Sequence, residues 1–146
     1  MGKPGNTVKI PTLTKDYSDQ VERLLHASFT CLVEFVEKEK PGKIINWSHD
    51  KWHRSAWKEI QSLYKWWKTE RPKREKLEKS LYRKGCKFKD EPNFPAPGKP
   101  GFTQMGKIHP KKKIIFAKLN KLEWVWDAED ERNLIRLAKI RQYLWT

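Results

Sequence analysis

The sequence predicts an all-α fold, a compact bundle of about four main helices over roughly 17–39, 48–71, 112–126 and 128–145. A short helix near 73–84 and a long Pro/Gly-rich loop over 90–113 complete it. Three observations predict this. Apolar residues recur at helical spacing in each long stretch. Proline and glycine fall between those stretches rather than inside them. Eight Trp and six Phe supply a core that a chain with 34% charged residues would otherwise lack. At 146 residues the chain is the size of one domain, so 1–146 is expected to fold as a single helical domain with 1–15, which holds Pro4, Gly5 and Pro11, as an extended arm.

In chain order, Asp16 or Ser18 can cap the first helix, and Val21, Leu24, Leu25, Phe29, Leu32, Phe35 and Val36 make its apolar stripe. Pro41-Gly42 ends it. Ile44, Ile45 and Trp47 form an apolar connector, and Ser48 is the expected N-cap of the second helix. There Ala56, Ile60, Leu63 and Trp67 take one side, and Lys51, Arg54, Lys58, Lys65 and Lys68 the other. Pro72 stops that helix near Arg71. Leu77 and Leu81 mark the short helix, with Gly85 as its terminator. In the 90–113 loop, Phe94, Phe102, Met105 and Ile108 are expected to pin the chain to the domain. Positions 115, 119, 122 and 126 are helically spaced, and Asp127, followed by Glu129, Asp130 and Glu131, reads as the N-cap of a last helix.

Charge is the strongest functional signal. The net charge is +14, and residues 48–113 hold nineteen Lys/Arg against seven Asp/Glu, whereas the flanking segments are nearly neutral. Such a field attracts nucleic acid or another polyanion, or an acidic protein. The residues expected to carry it are Lys51, Arg54, Lys58, Lys65, Lys68, Arg71, Arg74, Arg83 and Lys84. Trp66 lies off the core stripe and is the candidate for stacking on bases. Arg141, among the apolar positions Leu134, Leu137 and Leu144, is expected to form an ion pair or hold an anion.

Catalytic signals are weak. His49 and His53 share a helix face but lack a third ligand, so a structural pair is the better reading. Glu34, Glu37 and Glu59 resemble part of a magnesium-binding carboxylate set, with Ser62 where a further acid is needed. No Ser or Cys sits in a nucleophile motif. Cys31 and Cys86 are too few for a disulfide framework. No cofactor is expected, and the absence of a signal-peptide pattern or a long apolar run predicts a soluble intracellular protein without membrane contact.

The patterns Glu59-Ile60, Leu63-Tyr64, Trp66-Trp67, Arg71-Pro72 and Arg74, with Phe29, Leu32-Val33 and Phe35-Val36-Glu37 before them and Leu134-Ile135-Arg136-Leu137, Ile140-Arg141 and Leu144-Trp145-Thr146 at the end, resemble a family of small uncharacterised proteins encoded by bacteriophages. The resemblance implies action in the bacterial host cytoplasm and an accessory role, and it transfers no functional residue. The expected function is therefore a non-enzymatic phage accessory protein that binds an anionic partner, nucleic acid foremost. Alternatives are a counter-defence protein that sequesters a signalling nucleotide or binds an acidic host protein, and a metal-dependent nucleotide hydrolase.

Overall fold

The computed structural model describes residues 8–13, 16 and 18–144, and the fold is all-α. Its elements are α1 (Gln20–Lys38), α2 (Pro41–Ile44), α3 (Lys51–Lys65) continued by a π-helical turn (Trp66–Glu70), α4 (Lys73–Cys86), a two-stranded antiparallel ribbon of β1 (Phe94–Pro95) and β2 (Thr103–Gln104), α5 (Pro110–Ile140) and a 3-10 turn (Arg141–Tyr143). The chain gathers into two compact units. The first comprises the residues up to Arg71 and from Ala128 onward, and the second is Pro72–Asp127. Most of the arm expected over 1–15, and Trp145 and Thr146, lie outside the described residues.

In the first unit, Asp19 rather than Asp16 or Ser18 caps α1, its Oδ1 accepting the Glu22 amide at 2.8 Å. The buried stripe is Leu25, Phe29, Leu32 and Phe35; Val21 and Leu24, expected within it, are exposed. Lys40 turns the chain through a left-handed conformation (φ 49°), and Pro41 starts the single turn of α2, a position where its missing N–H costs nothing. The Trp47 indole then donates to the Pro41 carbonyl at 3.0 Å and stacks on Trp57. Asp50, not Ser48, caps α3 by accepting the His53 amide at 2.8 Å. Ala56, Ile60 and Leu63 close the core against Phe29, Leu32, Leu137 and Ile140.

After Lys65 the helix widens. In the π turn the Arg71 amide donates to the Trp66 carbonyl at 2.8 Å, an i to i+5 bond. Trp66 and Trp67 stand on either side of the direction of Leu63, within one wide apolar stripe, so both are buried. Phe29 receives both: Trp67 stacks on it at 4.5 Å with the planes 11° apart, and Trp66 meets it at 5.3 Å, tilted.

In the second unit, α4 and the N-terminal part of α5 pack antiparallel around Leu81 and Leu119. Gly85 is not a terminator but a contact residue inside α4: a Cβ there would stand 3.0 Å from the Phe116 ring. Arg74 lies 5.8 Å over the Trp126 ring at the other end of the pair. The break expected between 126 and 128 does not occur. No proline or glycine follows Pro110, so nothing interrupts α5, and Asp127 sits within the helix instead of capping a new one.

Candidate nucleic-acid interface

The cations foreseen from the sequence divide between the two units. On the first unit, Lys51, Arg54, Lys58 and Lys65 follow one face of α3 and are exposed. Lys51 lies 4.8 Å over the ring of Trp52, and an Arg54 guanidinium N–H donates to the Ser48 carbonyl at 3.2 Å.

Of the three further residues assigned to that surface, Arg71 and Trp66 serve the fold, whereas Lys68 is exposed but paired. Lys68 pairs with Glu37 at 3.0 Å, and Tyr64 donates its hydroxyl to the same carboxylate at 2.7 Å. These two contacts hold the Glu37 carboxyl below its ordinary range, the tyrosine bond being the larger cause, and the Glu37 bond raises the Lys68 amine. Arg71 makes a bidentate pair with Asp130, at 3.1 and 2.9 Å, and lies over Trp67 at 4.9 Å. Trp66 is only 8% exposed, and its indole donates to Glu129 at 3.1 Å. It is a core residue, and base stacking must be sought elsewhere.

The carboxylates considered for metal are likewise engaged. Arg136 clasps Glu59 through Nε at 2.8 Å and Nη2 at 3.1 Å, and reaches Ser62 Oγ and Asn133 Oδ1 as well. His53 Nδ1 lies 2.9 Å from its own cap, Asp50, and His49 meets the His53 ring edge-on at 5.8 Å. Among the described residues no group of three or more His, Cys, Asp or Glu side chains could hold a metal ion. Arg141 is exposed and donates to the Ala138 carbonyl at 2.8 Å. The tight turn after Ile140 ends the helical register that would have turned it inward. The arginine of this region that pairs with a carboxylate is the partly exposed Arg136, which the apolar spacing alone did not single out.

The second unit holds fifteen Lys/Arg against six Asp/Glu over 72–127. Its densest feature is the outward face of α4. Lys76, Lys79, Ser80, Arg83, Lys84 and Lys87 recur at i, i+3/i+4, i+7/i+8 and i+11, the spacing that stacks side chains on one side of a helix. They line a shallow depression of about 470 Å³ that has no acid in its wall. Lys79 also pairs with Glu75 one turn away. Leu81 and Gly85 face the opposite way, into the unit, so the fold directs this cationic row to solvent. Arg83 and Lys84 were foreseen; Lys76, Lys79 and Lys87 complete the row and are found by the same helical spacing. Arg74, half-buried beside Trp126, stands apart from it.

Two large exposed aromatics were not singled out in the sequence, while Tyr82, within the basic tract, is 58% exposed. Trp124 is 80% exposed on the side of α5 away from Leu119, and Trp52 is 64% exposed on α3. Phe94, Phe102, Met105 and Ile108, expected to pin the 90–113 loop, all stand in solvent. Among the described residues no helix is long and apolar enough to cross a membrane. No protein-family model, curated protein or solved structure matches the chain.

Proposed function

We propose that the chain is a non-enzymatic nucleic-acid-binding protein that grips the phosphate backbone with the outward face of α4. The observation that carries this reading is the row Lys76, Lys79, Arg83, Lys84 and Lys87 around an acid-free depression. Several cations on one rigid face match a repeating phosphate chain, and release of its counterions supplies the affinity. The openness of the face favours a polymer over a small nucleotide, which is held by enclosing it. The resemblance to small phage proteins sets this activity in the host cytoplasm as an accessory role.

Fluorescence anisotropy with labelled oligonucleotides across a salt series tests the reading. Five engaged cations give a slope of log affinity on log salt of about −3.5 for a single strand. Lys79→Glu/Arg83→Glu/Lys84→Glu abolishes binding at moderate salt. Affinity that ignores both salt and the charge reversal refutes the proposal, and stoichiometric capture of a mononucleotide selects the sequestration alternative instead.

A further inference from the structure

The 90–109 segment is built as a finger, and its apolar side chains are not what holds it. Polar contacts at its base do that. The Glu91 amide donates to the Lys107 carbonyl at 2.9 Å, the Gly106 amide to Asn93 Oδ1 at 3.1 Å and the His109 amide to Asp90 Oδ1 at 2.9 Å. Lys112 pairs with the same Asp90, and Phe88 stacks on His109 at 4.9 Å. The Ala96 amide donates to the Phe102 carbonyl at 2.9 Å, and the tip turns through Gly98 and Gly101 at φ 68° and 81°, a conformation glycine adopts without strain. The ribbon is therefore ordered independently of its apolar residues.

Those residues are displayed. Phe94 pairs with Gln104 in the register, so it shares a face with Gln104 and, by alternation, with Phe102. The two rings stand 42% and 68% exposed on that face. Residues 92–108 contain Lys99 and Lys107 and no Asp or Glu. The tip, 96–101, carries small residues, prolines and Lys99 rather than large apolar groups, which argues against insertion into a lipid surface.

We infer that this ribbon is a stacking finger for single-stranded nucleic acid, with Phe94 and Phe102 as platforms for two unpaired bases and Lys99 and Lys107 beside the backbone. The inference rests on the nucleic-acid reading above and adds to it the strand class. Aromatic rings and cations on a preorganised ribbon suit unpaired bases, whose faces are open, whereas the faces of duplex bases are already stacked.

The test compares the full chain with Phe94→Ala/Phe102→Ala and Phe94→Tyr/Phe102→Tyr, using an oligothymidine of about fifteen nucleotides and a duplex of matched length. The alanine variant, which removes two stacking platforms, weakens single-strand binding by at least about 30-fold, leaves duplex binding and the salt slope unchanged, and the tyrosine variant restores affinity. Unchanged single-strand affinity in the alanine variant, with loss in the α4 charge reversal, overturns the finger while sparing the phosphate-binding face. Equal loss on both probes overturns the strand assignment. Failure of the parent chain to bind either probe overturns the reading beneath it, and the finger with it.

Discussion

Trp66 donates its indole N–H to Glu129 at 3.1 Å, joining the π turn to the C-terminal part of α5 within the first unit. An aromatic ring against Phe29 and a charge-assisted bond at its polar edge make this residue structural on both counts. Trp66→Phe removes the donor and keeps most of the ring; the expected loss is about 1.5–3 kcal/mol. Trp66→Ala removes both, with an expected loss of about 3–5 kcal/mol. Urea denaturation measures each. Neither variant changes oligonucleotide affinity at temperatures where it remains folded, whereas a stacking role requires that it do so.

Arg136 and Glu59 predict a second separation of structure from function. Their side chains are 38% and 36% exposed, so solvent screens the pair and the cost of breaking it is modest. Arg136→Met is expected to lower stability by about 1–2 kcal/mol, chiefly through the lost hydrogen bonds to Glu59, Ser62 and Asn133. Arg136→Lys recovers little, because a point charge cannot reproduce the two-pronged contact. Chemical denaturation of both variants checks this. Divalent metal added to the parent chain leaves its melting temperature unchanged, since Glu59 is already held.

His26 predicts an acid response. Burial holds its pKa below the ordinary value, and the nearby Arg71 cation lowers it further, against the opposing pull of Glu22 and Asp130. Thr12 Oγ1 lies 2.7 Å from Nδ1, Glu22 lies 3.2 Å from Nε2, and the ring meets Trp67 edge-on. The unfolded chain therefore takes up this proton at a higher pH than the folded one. The stabilisation is complete above about pH 6.5 and is lost progressively as pH falls toward the folded-state value. Urea midpoints taken from pH 7.5 down to 5 fall for the parent chain. His26→Gln, which does not titrate, flattens that part of the profile; an unchanged slope refutes the assignment.

Helical period and punctuation made α1, α3 and α4 legible, and α5 as two halves, because burial of one helix face leaves a repeating mark in the sequence. Two residues fell on the other side from the one expected. Trp66, only about 60° round the helix from Leu63, lies inside at the start of the π turn, and the 3-10 turn after Ile140 left Arg141 outside. At 126–128 a good capping sequence was present, yet without a breaker the longer helix prevailed. The same spacing that gathered Lys51, Arg54, Lys58 and Lys65 on one face of α3 could not say that Lys68 and Arg71 are matched by Glu37 and Asp130, which are remote in the chain. Nor could composition tell an aromatic that pins a loop from one that the loop displays, since Phe102 and Phe94 are exposed only because polar groups hold the base.

Gly106 tests that last point directly. A Cβ added there would stand 2.0 Å from the Glu91 carbonyl oxygen, a backbone atom that cannot turn aside as a side chain would. Gly106→Ala must therefore separate the strands at the base, disturbing the bonds from Glu91 to Lys107 and from Gly106 to Asn93. Leu81 and Leu119 lie elsewhere in the unit, so the helices keep their packing. Amide hydrogen exchange is expected to show lost protection at Glu91 and Ala96 with little change in α4 or α5. Single-strand affinity then falls as it does in the Phe94→Ala/Phe102→Ala variant, although both rings remain in the sequence. The loss comes from the disorder that binding must now reverse. Retained affinity with lost protection would mean that the rings act without the preorganised ribbon.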